Sequence, residues 1–259
     1  MPELPDLQVF SKNLTKKLTG KAVKKISIRN TKKIKQPESA FKKAIEKQTL
    51  STIERVGKEL HFTFSNDAVL GLHMMLKGQL YLFEKENEHK YPIIEILFDD
   101  DTGLVMTDFQ GQATPTLNPE DKDAPDALSA EVNASFLKEI LGKSKATIKS
   151  LLLDQHIIRG IGNAYADEIL WKAGISPFSI CNKIPVEKMK DLAKAIKDVL
   201  KDAEKSILRS HPDIISGEVR DFLSIHNAKK KQSPTGAVIQ HTMMNARKTY
   251  YTEEQQVYV

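Results

Sequence analysis

The sequence predicts an α+β chain of more than one domain: an N-terminal helix and β-sandwich, then a helical domain ending in a β-hairpin. Three observations carry that prediction. Apolar and polar residues alternate in short runs between about residues 22 and 110, most clearly at Leu60, Phe62 and Phe64. A stretch at 112–131 then interrupts the pattern, with Pro115, Pro119 and Pro125 among acidic and small residues. Beyond it the spacing turns helical, as in Val186, Met189, Leu192, Ile196 and Val199.

The elements follow in order. Residues 3–19 read as a helix, because Leu7, Phe10, Leu14 and Leu18 share a face, Pro5 suits the first turn and Gly20 follows the end. The runs VLGLHMML, GQLYLF, PIIEILF and GLVMTDF read as strands, and several short strands with turns between them suggest a sandwich or flattened barrel. FLKEIL, ATIKSLLLDQ and NAYADEILWKAG are successive short helices. AVIQHTM and KTYYTEE, separated by Met244–Arg247, form a terminal hairpin. The domains are therefore expected at 1–115 (β-sandwich), 116–131 (linker), 132–225 (helical) and 226–259 (hairpin).

Composition narrows the class. Lys plus Arg outnumber Asp plus Glu by 39 to 34, a mild lean towards a polyanion, and Lys229, Lys230 and Lys231 are adjacent. The single cysteine, Cys181, excludes an internal disulfide framework and a cysteine-based zinc cage. No run approaches the roughly 20 apolar residues of a membrane span, and the opening lacks a secretory pattern. A cytoplasmic or nucleoid setting is expected.

Two segments carry chemistry. Initiator methionine is normally removed before proline, which would leave Pro2 with a secondary amine that titrates near ~7.7–8.0. Such an amine can attack a sugar C1′, expel a base and leave an iminium, while Glu3 shuttles a proton. The same residues also suit the first turn of any helix. The second segment is TIKSLLLDQHIIRGIGNAYADEILWKAGISP at 147–177. Here two short helices flank a tight turn, Gly160 and Gly162 permit close backbone approach, and Asn163 is expected to cap the next helix. A helix start of this kind can seat a phosphate. It can equally be a helical hairpin that packs Leu170 and Ala173.

The opening PELPD, the Gly57-Lys58 pair, HMMLKG at 73–78 and the 147–177 string together resemble the Fpg/Nei family of bifunctional DNA glycosylases, in family order from residue 2 to the end. The resemblance implies removal of oxidised bases followed by β- or β,δ-elimination. It implies Pro2 as nucleophile, Glu3 as acid/base, Lys58 as a catalytic lysine that contacts the phosphate beside the lesion and assists the reaction, and His73, Asn163 and Arg247 as DNA contacts. Leu76 falls on the apolar wedge that fills the space of an everted nucleotide. Asp6 replaces the usual glutamate and is expected to keep its helix-start role, and Glu168 is expected to be structural. Each also has a simpler reading: Lys58 and Arg247 as solvated turn residues, His73 as a packed, hydrogen-bonded histidine.

The sequence also departs from the family. Gln232, Thr235, Thr252 and Gln255 occupy the positions of the zinc-binding cysteines, so the expectation is a zincless finger with no metal or organic cofactor, held instead by Ile239, Tyr250 and Tyr251. The second wedge positions fall near Gly111 and Gln112, so the aromatic is missing unless Phe109 or Gln110 substitutes from a shifted register. The stretch from RDF (220–222) to Lys229 is short. These changes point to abasic sites, oxidised pyrimidines and ring-opened purines, with 8-oxoguanine opposite cytosine handled poorly. The expected partner is damaged double-stranded DNA, with single-stranded or bubble DNA left open; a monomer and no membrane contact are expected. A non-catalytic binder of damaged or abasic DNA is the alternative, and a general nucleic-acid module a third.

Overall fold

A computed structural model describes residues 1–30, 33–120 and 122–259. The chain divides into two compact units, Met1–Asp121 with Ile207–Glu218, and Lys122–Ser206 with Val219–Val259.

In the first unit, α1 (Leu4–Leu18) buries the predicted face of Leu7, Phe10, Leu14 and Leu18. Two four-stranded antiparallel sheets follow. One runs in the order β1 (Val23–Ile28), β6 (Pro92–Phe98), β7 (Thr102–Thr107), β5 (Gln79–Glu84). The other runs β2 (Leu50–Val56), β3 (Glu59–Phe64), β4 (Val69–His73), β8 (Thr114–Leu117). Alternation works as expected in β3, where Leu60, Phe62 and Phe64 are buried and their neighbours half-exposed. Both sheets contribute to one core with α1, including Ile26, Ile96 and Leu104 from one and Ile53, Phe62 and Leu72 from the other. Burial of this apolar surface is the main stabilising term.

Two features differ from expectation. A short helix, α2 (Glu38–Ile45), lies inside the stretch read as strands and buries Phe41 and Ile45 one turn apart. The Pro-rich stretch begins with one strand more than the periodicity indicated. Thr114–Leu117 pairs with β4 as an edge strand, where Pro115 is tolerated because one side of such a strand needs no ladder donor. The Gln36 side chain occupies the outer side, donating to the Leu117 carbonyl at 2.9 Å and accepting its N–H at 3.1 Å. At the other end, Asp126 bridges to Arg159, and Arg159 N–H donates to the Pro125 carbonyl at 2.9 Å.

The second unit holds α3 (Ala134–Gly142), α4 (Ile148–Leu153), α5 (Asn163–Ala173) and most of α6 (Lys188–Ser210). Asn133 caps α3 by accepting from Ser135 and Phe136 N–H. Along α6, Met189, Leu192 and Ile196 are buried as predicted; Val199 is half-buried, and Val186 precedes the helix and is exposed. The terminal hairpin pairs β9 (Gln240–Met244) with β10 (Arg247–Tyr251). Its two loop residues, Asn245 at φ 48° and Ala246 at φ 60°, have the signs of a type I′ turn, whose twist matches the strands.

Candidate active site and DNA-binding residues

The N-terminus is set by local chemistry. Pro2 is buried, and Glu3, only 5% exposed, precedes α1 as its N-cap. Glu3 N–H donates to Asp6 Oδ2 at 2.8 Å, half of a reciprocal capping box. The shorter Asp6 thus keeps the helix-start role expected of it. Gln8 on α1 accepts from Arg55 Nε at 2.9 Å, and Arg55 Nη1 donates to the Gly57 carbonyl at 3.1 Å. These bonds tie the helix to the β2–β3 turn. Gly57 has φ +60°, which the tight turn requires at its first position, and half-buried Lys58 follows it.

Two further loops of this unit leave the sheets together. His73, the last residue of β4, pairs with Thr114, the first of β8; Gln79, the first of β5, pairs with Thr107, the last of β7. Loops 74–78 and 108–113 therefore run between the same two register points. In the first, Gly78 N–H donates to the Met74 carbonyl at 2.8 Å, and a Cβ on Gly78 would lie 2.3 Å from that oxygen, so no other residue fits. The closure leaves Leu76 63% exposed. His73 Nδ1 accepts Met75 N–H at 3.1 Å, which in the neutral ring places the proton on Nε2 and makes that nitrogen a donor. In the second loop, the buried Asp108 carboxylate accepts the N–H groups of Gln110, Gln112 and Ala113, each at 2.8 Å. That cage presents Phe109, 61% exposed, as the large apolar residue of the loop.

In the second unit, the α4–α5 connection is shaped by Gln155. Its side chain accepts Gly160 N–H at 2.9 Å and donates to the Ile161 carbonyl at 3.0 Å, while Gly160 sits at φ +103°. Gly162, not Asn163, is the N-cap of α5. Asn163 is the first helical residue, and its Nδ2 donates across to the Lys248 carbonyl of β10 at 2.9 Å. Arg247 lies exposed at the hairpin tip, one residue before that carbonyl.

A buried node supports both positions. Lys149 Nζ lies 2.7 Å from Asp167 Oδ1 and donates to Thr249 Oγ1 at 2.7 Å. Asp167 Oδ2 accepts Tyr250 N–H at 2.9 Å and meets His226 Nδ1 at 2.7 Å. The adjacent Glu168 carboxylate accepts the N–H groups of Ser224, Ile225 and His226 at 2.7–2.8 Å, which makes it the anchor of that loop. The sequence reading missed Lys149, Asp167 and Thr249. Their partners are far apart in the chain, and no spacing signal links them.

The donor set of the finger does not fit a zinc ion, because it offers hydroxyls and amides in place of thiolates. The hydroxyls converge on one carboxylate: Glu254 Oε2 accepts from Thr235 Oγ1 at 2.8 Å, Thr252 Oγ1 at 3.2 Å and Ser233 Oγ at 3.4 Å. These bonds, Thr235 foremost, hold the Glu254 carboxyl below its ordinary value. Gln255 accepts Thr252 N–H at 2.9 Å and donates to the Ile175 carbonyl at 2.8 Å. Gln232 is exposed and pairs with Val238. Packing takes up part of the expected role: Tyr250 contacts the rings of His226 and His241, and Tyr251 meets Phe178 edge-on. Ile239 is only half-buried, and polar contacts among Thr235, Thr252, Glu254 and Gln255 stand beside the aromatic packing of Tyr250 and Tyr251.

Residues 1–114 match the formamidopyrimidine-DNA glycosylase N-terminal domain, and residues 124–210 match the formamidopyrimidine-DNA glycosylase H2TH domain. The formamidopyrimidine-DNA glycosylase of Lactobacillus gasseri is 30% identical, over 99% of each chain. The chain belongs to the formamidopyrimidine-DNA glycosylase family. Its fold is that of solved members. The Lactococcus lactis Fpg in complex with abasic-site DNA superposes with a TM-score of 0.88 at 25% identity, over 98% of this chain and 99% of that one. The same enzyme bound to DNA containing an oxidised pyrimidine gives 0.88 and 25% over the same shares. The helix–two-turns–helix expected at 147–177 lies inside the matched H2TH domain of the glycosylase family. Among the described residues, no helix is long and apolar enough to cross a membrane.

Proposed function

We propose that this member of the family is a bifunctional DNA glycosylase and abasic-site lyase of base excision repair, working through the amine of Pro2 once Met1 is removed. The observation that carries this is the full-length family match in a chain whose Pro2 and Glu3 stand together at the capped start of α1. The Pro2 nitrogen attacks C1′ and Glu3 protonates the ring oxygen as the sugar opens. Elimination then cleaves the strand. Lys58, the Nε2 donor of His73, Asn163 and Arg247 hold phosphates, and arginine suits its place because its planar fork binds phosphate bidentately. No step needs a metal.

Leu76 and Phe109, on neighbouring loops, fill the space left by the everted nucleotide. Phe109 thereby supplies the aromatic from the shifted register, since Gly111 and Gln112 have no such side chain. Base eversion costs a few kcal/mol, and poorly stacked lesions cost least. The substrates are abasic sites, oxidised pyrimidines and ring-opened purines, in keeping with the abasic and oxidised-pyrimidine DNA bound by the Lactococcus lactis enzyme. 8-Oxoguanine opposite cytosine is a poor substrate. The enzyme acts as a monomer in the cytoplasm or nucleoid, with a catalytic sandwich domain, a helical domain and a zincless hairpin.

Borohydride trapping on an abasic-site duplex tests the mechanism. The processed protein should form a covalent adduct, and Pro2→Gly or an N-terminally extended chain should lose it. A processed protein that binds the duplex and traps nothing would leave only the non-catalytic binder.

A further inference from the structure

The N-terminus meets a carboxylate from far along the chain. The Met1 ammonium is ion-paired with Glu218, 217 positions away in the sequence. Glu218 reaches it because the segment Ile207–Glu218 belongs to the first unit. Two hydrogen bonds fix that segment: Asn13 Nδ2 donates to the Ile214 carbonyl at 2.8 Å, and Leu80 N–H donates to Ser216 Oγ at 2.9 Å. Ile214 and Ile215 pack against the core beneath. Consecutive backbone nitrogens are roughly 3–3.6 Å apart, given the standard bond lengths. A carboxylate on the Met1 nitrogen is thus one such step from the nitrogen that becomes the amine when Met1 is removed.

We propose that Glu218 is the proton acceptor that turns the Pro2 ammonium into the nucleophile. The inference rests on the Pro2 mechanism above. The proton count calls for an acceptor at the amine, and Glu218 is the carboxylate found on the N-terminal nitrogen. Near neutral pH much of a proline amine carries two protons. One must leave before the nitrogen lone pair can form the N–C1′ bond. As that bond forms, the C1′–base bond breaks, and the base keeps the electron pair and takes the second amine proton. The C1′–O4′ bond then breaks, O4′ takes a proton from Glu3, and the nitrogen lone pair closes the iminium. Glu3 gives a proton to O4′ in that step, and with Glu218 as acceptor of the first amine proton the two transfers fall on separate carboxyl groups. The Glu218 carboxylate accepts it and becomes the neutral acid.

The sign of a substitution separates this role from simple ion pairing. A carboxylate that only paired with the amine would keep its proton in place, and removing it would speed attack. A carboxylate that takes the proton speeds attack, and removing it slows attack. The experiment is single-turnover borohydride trapping of processed wild type, Glu218→Gln and Glu218→Asp on saturating abasic-site duplex, from about pH 6 to about pH 9. Glu218→Gln should be slower by roughly tenfold to a hundredfold near neutrality. The deficit should shrink at alkaline pH, where water removes the proton, and Glu218→Asp should recover part of the rate. The Kd for the duplex should not move. An equal or faster Glu218→Gln, or a deficit of the same factor at every pH, overturns the proposal while leaving Pro2 as nucleophile. Absence of any wild-type adduct sinks both.

Discussion

Lys149 and Asp167 are opposite charges removed from water together, each about 1% exposed. Their 2.7 Å contact offsets a desolvation cost that neither could bear alone, and Thr249, Tyr250 N–H and His226 add polar contacts to the pair. Lys149→Met would leave the Asp167 carboxylate buried without its cation. We expect a loss of about 3–5 kcal/mol in urea unfolding, with Lys149→Met/Asp167→Leu costing clearly less than the sum of its parts. An additive double variant would show that the two charges do not act as a pair. At this scale the sequence was partly legible. Pro2, Glu3, Lys58 and Arg247 could be picked out because each belongs to a short motif. Lys149 and Glu218 could not, since what gives them meaning is a partner on a distant segment.

Loops 74–78 and 108–113 show how an element sets the exposure of a residue. Gly78 closes one and Asp108 cages the other, and the shared register of β4–β8 and β5–β7 sets them side by side. Leu76 and Phe109 are exposed because these closures leave them no core to enter. We expect Leu76→Ala and Phe109→Ala to slow single-turnover excision of an oxidised pyrimidine by about tenfold, equivalent to about 1.4 kcal/mol of eversion energy. Trapping on an abasic site, which has no base to evert, should change less. Equal losses on both substrates would argue against a wedge. The long amphipathic elements α1, β3 and α6 were readable from periodicity, because each repeats its buried positions several times. α2 was not, with only Phe41 and Ile45 as anchors, and β8 was hidden by Pro115.

For the whole molecule, the question is what holds the terminal hairpin without thiolates. Glu254 gathers three hydroxyls at one end, and the Lys149–Asp167 node grips Thr249 and Tyr250 on β10. A chelator should therefore leave duplex binding unchanged, and metal assay should give well under one zinc per chain. Acid should act where a chelator does not. The folded Glu254 carboxyl is held below its ordinary 4.5 by the Thr235 hydrogen bond above all, so its contribution is complete above that value. It is lost as pH falls through the lower, folded value. Hairpin amides should then exchange faster than those of α5 below about pH 4.5. Exchange that rises in step in both elements would show that Glu254 has no special part.

The sequence by itself determined the class of elements, their order, the family resemblance and the residues of the proposed lyase chemistry, because periodicity and short motifs are local properties of a chain. Tertiary structure alone decided that Asn163 follows the cap instead of forming it, that Phe109 is the exposed aromatic, and that one carboxylate gathers the hydroxyls of the finger. It also brought Glu218 to the N-terminal amine. Each of these depends on a contact between segments far apart in sequence, set by packing and by the need of buried polar groups for partners.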